Sequence, residues 1–257
     1  MALQSSETGS NGTSSDRIAG YQSWQSLGFL HYRVAADTIQ RLLPPSLTVE
    51  EFDGSAWLGI VPFSMEKVRP WWSPPIPGIS WFLETNVRTY VVDSRGVSGV
   101  WFFSLDADNW LAVNVARTFW HLPYRLASLS LQHPPVKENS GDVQSITFQG
   151  RCRESTPADY DITLDVDTRH PSAPAVPGTL DHFLVERYLL FATDRRGQLW
   201  TGNVHHDPYR LRSVKHAGIR QTLTASVGIP LDGQLPPDHV TFSDGVDVRV
   251  SPLCRIK

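Results

Sequence analysis

The sequence contains little cysteine and little net charge, and each shortage excludes a class of protein. The 257 residues include two cysteines, Cys152 and Cys254, and neither belongs to a CxxC or CxxH pair. A disulfide framework or a cysteine-based zinc site is therefore not expected. The net charge is −3 and the arginines are scattered among acidic residues, which is untypical of a surface that binds nucleic acid.

Long apolar runs are also missing. No stretch approaches the roughly 18 consecutive apolar residues that a membrane-spanning helix needs. The first 16 residues are rich in Ser, Gly, Thr and Asn and lack the apolar core of a secretory signal. We therefore expect a cytoplasmic protein with no membrane partner, with a disordered tail over residues 1–17 and a single domain over residues 18–257.

The motifs of several common enzyme classes do not occur. The sequence has no GxGxxG, no GxxxxGKS/T and no GxSxG, so nucleotide binding by those motifs and α/β-hydrolase chemistry have no support. His205 and His206 are adjacent and would point to opposite faces of a strand, so both cannot readily bind one ion. We expect no metal and no cofactor, although a histidine site assembled from distant segments stays open.

Turn residues and apolar periodicity predict an α+β fold that is mainly antiparallel β, with two or three short helices. One hairpin joins residues 81–92 to 97–106, and a second joins residues 47–52 to 56–64 across Asp53-Gly54. Helices are predicted over residues 35–43, 109–120 and 180–188, the last after the N-cap Thr179. Further strands are predicted over residues 24–34, 124–132, 145–153, 160–168, 189–193, 198–204, 209–216 and 246–250.

A polar stripe on the strand of residues 81–92 is the most informative pattern. Alternate side chains share a face of a strand, so Glu84, Asn86, Arg88 and Tyr90 lie on one side. A half-exposed strand with a solvated polar face is the simplest interpretation. Phe82 and Tyr90 on the same face favour the alternative of a lined cavity, in which an enclosed carboxylate with a raised pKa could act as an acid or base.

Residues 121–127, His-Leu-Pro-Tyr-Arg-Leu-Ala, form a second segment of interest. A proline after a helix is ordinary punctuation, and Tyr-Arg at the start of a strand is typical of amphipathic edge packing. Taken alone, this segment would not predict a site.

Together these segments resemble the uncharacterised YqjF-like family, from about residue 18 to the C-terminus. Several separate motifs in the right order make the resemblance specific. They are residues 42–45 (LLPP), 56–63 (AWLGIVPF), 86–91 (NVRTYV), 101–107 (WFFSLDA), 122–124 (LPY) and 182–188 (HFLVERY).

That family in turn resembles the acetoacetate decarboxylase-like superfamily. The resemblance implies a cone-like or barrel-like antiparallel β fold around a small-molecule pocket, often in oligomers, so a homo-oligomer is among the expectations. Acetoacetate decarboxylases carry Pro-Lys-Lys-Leu-Ala, where the first lysine forms a Schiff base and the second lowers its pKa. Here Tyr124 stands at the first position, and a phenol cannot form an iminium with a ketone. Arg125 keeps a positive charge at the second, and Glu84 matches a pocket glutamate.

Two functions follow as hypotheses from the resemblance and the polar stripe. The first is a lyase or isomerase that acts on a carbonyl or carboxylate compound by non-covalent acid/base chemistry. The second is a non-catalytic protein that binds a small ligand and has lost the decarboxylase chemistry, and an oligomeric scaffold without a ligand is a third possibility. The predicted catalytic residues are Glu84, Tyr124 and Arg125, and the predicted substrate-binding residues are Asn86, Arg88, Tyr90, Phe102 and His121.

Overall fold

The computed structural model describes residues 17–133, 142–154 and 156–256. The predicted disordered tail lies, except for residue 17, outside the described residues. In the described part of the chain the strands are β1 (Gly20–Val34), β2 (Leu47–Val49), β3 (Ala56–Pro70), β4 (Phe82–Asp93), β5 (Ser98–Ala107), β6 (Tyr124–Gln132), β7 (Val143–Cys152), β8 (Ala158–Asp167), β9 (Ala173–Pro174), β10 (Leu189–Thr193), β11 (Leu199–His206), β12 (Arg210–Gln221), β13 (His239–Val250) and β14 (Cys254–Arg255). The helices are α1 (Ala36–Gln40), α2 (Trp110–Phe119), α3 (Leu180–Val185) and α4 (Leu223–Ser226).

Most strand pairs are antiparallel, so the predicted fold class is confirmed; β5 makes parallel pairs with β6 and with β10. The predicted β4–β5 hairpin forms because its turn satisfies its own polar groups. The Asp93 carboxylate accepts hydrogen bonds from the backbone N–H groups of Arg95 and Val97. Gly96 closes the turn at φ 79°, a conformation that costs glycine little.

The paired strands form two closed circuits, and the two circuits share five strands. We call the strands β13, β1, β3, β4 and β5, paired in that order, the wall. On one side β6, β7, β8 and β12 connect β5 back to β13, and on the other side β10 and β11 make the same connection. The wall therefore has a closed β structure on each of its faces.

Two hydrophobic cores follow from this arrangement, one on each face of the wall. Val87 and Val91 of β4 belong to the first core, together with residues of β7 and β8. Phe82 and Tyr90 belong to the second core, together with residues of β11, β13 and α3. The two-residue alternation of a strand thus sends successive side chains of β4 into different cores.

One predicted hairpin is wrong. Residues 47–49 form β2, which pairs with β4 rather than with β3. The turn at Asp53-Gly54 exists, but it supports only an isolated bridge between Phe52 and Ser55.

The third predicted helix begins where it was predicted, and the Thr179 hydroxyl accepts from the His182 N–H at its start. It ends at Val185, earlier than predicted. Among the described residues, no helix has the length and apolar character to cross a membrane.

Candidate functional site

The polar stripe of β4 is buried. Glu84 is 3% exposed, Asn86 4%, Arg88 8% and Tyr90 0%. The alternative of a solvated polar face is therefore wrong for these four side chains. A buried polar or charged group costs free energy unless it is hydrogen-bonded or paired, so the partners of each group show what it can do.

The stripe faces a cavity of about 590 Å³ within the second core. The first three polar residues of the stripe line this cavity together with apolar side chains of β1, β3, β5, β10 and β11. Leu27, Val61 and Phe63 are buried members of that lining. The full lining also includes Arg69, Phe102, Leu105, Trp120, Leu122, Tyr124, Val185, Arg187, Asn203 and Tyr209.

Glu84 and Tyr124 meet in the cavity. The Tyr124 hydroxyl donates a hydrogen bond of 2.6 Å to Glu84 Oε2. Pro123 lies between the end of α2 and β6, and the parallel pairing of Leu105 with Tyr124 places the phenol beside β4. Two residues that are 40 positions apart in the chain thus form one acid/base pair.

Burial raises the pKa of Glu84 from its ordinary value of 4.5 to about 7. Hydrogen bonds from Tyr124 and Asn86 oppose this rise, and the negative charge of Asp106 adds to it. Burial and the nearby Glu84 carboxylate raise the pKa of Tyr124 well above its usual value, so the phenol stays a neutral donor. Near neutral pH Glu84 therefore populates both its carboxyl and its carboxylate form.

Arg88 is a buried cation without an acidic partner among the described residues. One Nη donates to the Leu184 carbonyl oxygen at 3.0 Å, while Nε has no hydrogen-bond partner within the protein. The rings of Phe29 and Tyr90 flank the guanidinium at 5.7 and 5.8 Å. Arg187, which also lines the cavity, differs because it pairs with Glu50 at 2.8 Å.

Tyr90 lies on the predicted face, but its hydroxyl is used by the protein. It donates to the Leu184 carbonyl at 2.7 Å, and His31 Nε2 lies 2.7 Å from the same hydroxyl oxygen. Burial and the charge of Arg88 hold the pKa of His31 well below its usual range, so this histidine is neutral. Tyr90 therefore lies beside the lining residue Arg88 and does not line the cavity itself.

Arg125 does not join Glu84 and Tyr124. It follows Tyr124 in β6, so its side chain points to the opposite face, where it forms a buried ion pair with Asp106 at 2.5 Å. Its Nη1 also donates to Thr156 and Ser226. This geometry does not support the predicted catalytic role of Arg125.

Of the two remaining predicted residues, one lines the cavity and the other does not. Phe102 lines the cavity. His121 adopts φ 51° after α2, and its ring lies tilted against that of Trp200, at 5.6 Å between ring centres, outside the lining. Sequence reasoning missed Arg187 and the Leu184 carbonyl. Their signal was the HFLVERY motif, which was used only for the resemblance.

No lysine occurs among the described residues that line the cavity. Lys67 lies in a neighbouring open groove, and Lys215 pairs with Asp167 at 3.5 Å. Within the described ranges, no group of three or more His, Cys, Asp or Glu side chains is arranged to hold a metal ion.

Comparison with known proteins places these observations in a family. The DUF2071 family, described as an uncharacterized conserved protein family, matches residues 21–247. The uncharacterized protein YqjF of Bacillus subtilis (strain 168) is 35% identical over 234 residues, which cover 90% of each chain. The YqjF-like resemblance is therefore confirmed.

Solved structures confirm the acetoacetate decarboxylase-like fold. Acetoacetate decarboxylase from Legionella pneumophila matches with a TM-score of 0.60 at 15% identity, over 93% of this chain and 88% of that one. The enduracididine biosynthesis enzyme MppR, complexed with pyruvate, matches with a TM-score of 0.62 at 14% identity, over 94% of this chain and 91% of that one. At these identities the likeness concerns the fold alone.

Proposed function

The chain belongs to the DUF2071 family, and from that premise we propose that it is a small-molecule enzyme that uses acid/base chemistry without a covalent intermediate. The proposed substrate is a carbonyl or carboxylate compound, and the reaction is a proton transfer of the lyase or isomerase type. The observation that carries the proposal is the hydrogen bond between Glu84 and Tyr124 inside a largely apolar cavity.

Glu84 supplies the proton transfer in this proposal. Its pKa of about 7 lies near the working pH, where a general base is available and its conjugate acid is still a good donor. The carboxylate takes a proton from a carbon next to a carbonyl, and the carboxyl returns it to the product. Tyr124 orients the carboxylate through its hydrogen bond.

Arg88 supplies the binding charge. Arg88 lines the cavity, and a guanidinium offers a planar set of donors that suits a carboxylate or an enolate oxygen. An anionic ligand would pair with a buried cation that has no acidic partner among the described residues and that donates to the Leu184 carbonyl oxygen. The solved neighbour MppR is complexed with pyruvate, which supports a small carboxylate as the ligand class.

A non-catalytic binding protein is the second candidate. The absence of a lysine from the described lining removes the Schiff-base route, and the Glu84–Tyr124 hydrogen bond satisfies both groups within the protein. A binding protein would use the same cavity and the same Arg88, but Glu84 would then serve only its structure.

Proton exchange separates the two candidates. The protein is incubated in deuterated buffer with a panel of keto acids, ketones and aldehydes, and NMR follows deuterium incorporation at the carbon next to the carbonyl. For the enzyme we expect Glu84→Gln to lower the exchange rate by about 100-fold or more while ligand binding is retained. The rate of the wild type rises with pH through about 7, because the carboxylate is the base.

Glu51→Gln is the matched control, because Glu51 is solvent-exposed and does not belong to the lining. Tyr124→Phe is expected to shift the pH profile, since it removes a hydrogen bond that lowers the pKa of Glu84. Binding of panel members without exchange by the wild type would contradict the enzyme and favour the binding protein.

A further inference from the structure

The cavity lining combines a buried cation, Arg88, with apolar side chains that are exposed to solvent. Arg88, four residues beyond Glu84, is buried, and its guanidinium lies 5.8 Å from the ring of Tyr90, which is fully buried. Phe82 lies at the other end of the stripe, three residues from the exposed lining residue Ile79, and the next residue, Leu83, donates to Asp108 just before α2. Four residues of extended strand span about 13 Å, so Arg88 and the exposed apolar residues contribute to different ends of the lining.

The exposed part of the lining, which we take as the mouth of the cavity, is an apolar rim. We define the rim as Trp72, Ile79, Leu111 and Val115. All four line the cavity, and their exposed fractions are 71%, 38%, 40% and 39%. They come from the loop that follows β3 and from one face of α2, where Leu111 and Val115 are four residues apart and therefore adjacent on the helix surface.

The rim is held in place by hydrogen bonds between its two segments. Asn109, the N-cap of α2, donates through Nδ2 to the Ile79 carbonyl at 3.0 Å. The Asp108 carboxylate accepts from the Leu83 N–H of β4 at 2.7 Å. The exposed apolar side chains at the mouth are therefore part of a built feature that continues the cavity lining.

The size of the cavity sets a lower limit on a ligand that would fill it. A volume of about 590 Å³ corresponds to roughly twenty water molecules at about 30 Å³ each. A three-carbon keto acid would fill only a small part of this volume.

We propose that the ligand of this cavity is an amphiphilic monocarboxylic acid, with its carboxylate on Arg88 and an apolar tail that passes Glu84 and leaves between α2 and the loop after β3. This inference rests on the proposed function for its binding site and extends it to the substrate class. Apolar surface of the tail then covers apolar surface of the lining and the rim, and each additional methylene group tightens the dissociation constant about fourfold.

The test is a homologous series of unbranched carboxylates, from propanoate to dodecanoate, titrated below their critical micelle concentrations and followed by calorimetry. We expect the dissociation constant to fall about fourfold per methylene and to level off once the tail has passed the rim. Arg88→Met is expected to weaken every carboxylate, while primary alcohols of equal length bind this variant and the wild type alike. Circular dichroism and the melting temperature check that the variant folds.

A matched pair of valine variants tests the rim. Val115→Asn changes a rim residue, and Val176→Asn changes a valine that is 65% exposed and lies outside the lining. Val115→Asn is expected to weaken the long members about tenfold and to leave the short members unchanged, whereas Val176→Asn changes neither. A series that does not depend on chain length, or equal behaviour of the two valine variants, would overturn the proposal.

The outcomes also separate this proposal from the proposed function. Chain-length dependence without any proton exchange leaves the ligand class standing and removes the enzyme. Glu84-dependent exchange with a flat series removes the ligand class and leaves the enzyme.

Discussion

At the scale of the residue, Glu84 is where site chemistry and folding free energy are linked. An ionised carboxylate in an apolar enclosure is unfavourable, and burial raises the pKa of this group from 4.5 to about 7. The folded protein therefore binds the Glu84 proton more tightly than the unfolded chain does. Linkage then requires that the contribution of Glu84 to stability is fully present below pH 4.5 and is lost as the pH rises through about 7.

Glu84→Gln should remove this pH dependence, because glutamine does not ionise. We expect the stability of the wild type relative to the variant to fall by about 3 kcal/mol between about pH 4 and about pH 8. Urea denaturation of both proteins at the two pH values measures the difference, and the comparison cancels groups that titrate in both. Glu51→Gln, at an exposed position, should follow the wild type. Parallel pH curves for wild type and Glu84→Gln would contradict the raised pKa.

The same scale shows what the sequence could predict about the site. Strand alternation correctly grouped Glu84, Asn86 and Arg88 on one face, because a period of two is a property of the backbone. Tyr124 and Arg125 were both placed in the site from the resemblance. Adjacent strand residues cannot share a face, and the partner that holds Arg125, the Asp106 carboxylate, comes from a separate strand whose parallel pairing was not visible in the sequence.

At the scale of the element, β7 and β8 are joined by a tight cross-strand contact. Gly150 pairs with Tyr160, and a Cβ atom at Gly150 would lie 2.1 Å from Tyr160 Cε1. The Tyr160 ring thus occupies the space that a side chain at residue 150 would need. Its hydroxyl lies 2.5 Å from Thr85 Oγ1, so this contact connects β7 and β8 to the face of β4 that points away from the cavity.

Gly150→Ala is therefore expected to destabilise the protein by about 1–3 kcal/mol, the usual cost of overpacking. Gly218→Ala is the matched control in β12, because the nearest atom to its new Cβ is His216 Nε2 at 3.8 Å. The control should change stability by less than about 0.5 kcal/mol. Thermal denaturation measures both, and equal melting temperatures would contradict the close contact.

Local signals predicted the elements better than their partners. The β4–β5 hairpin and α2, with Asn109 as its N-cap, follow from a turn and a cap that are encoded within a few residues. The hairpin predicted across Asp53-Gly54 was wrong because a turn does not determine which strands pair. Both edges of β3 are taken by β1 and β4, so β2 cannot pair with it. The pairing of β2 with β4 joins segments that are far apart in the chain, and such pairing depends on burial across the whole sheet.

At the scale of the whole molecule, the wall is covered on both faces. The middle of β3 and most of β4 are buried, whereas β7 alternates between buried residues and residues in contact with solvent. The expectations of a homo-oligomer, a cytoplasmic location and a single domain stay predictions. The two closures around the wall are properties of long-range strand order, which the sequence pattern alone does not determine.

Hydrogen exchange of backbone amides should report the difference in burial between the wall strands β3 and β4 and the outer strand β7. Amides that open only in global unfolding exchange most slowly, so we expect the slowest exchange in β3 and β4 and faster exchange in β7. Mass spectrometry of peptides from residues 56–65, 82–93 and 143–152 makes the comparison. The exposed α2 segment serves as the fast reference. Equal protection in β4 and β7 would contradict the assignment of the wall as the most stable part of the fold.

The alternation of β4 has a consequence for engineering. The even-numbered positions 84, 86 and 88 contact the cavity, while the odd-numbered positions 87 and 91 belong to the other core. A combinatorial library restricted to the even positions would therefore diversify ligand preference and leave the first core as it is. Selection for new chemistry would then act on one face of a single strand, and the residues on the opposite face would not need to repack.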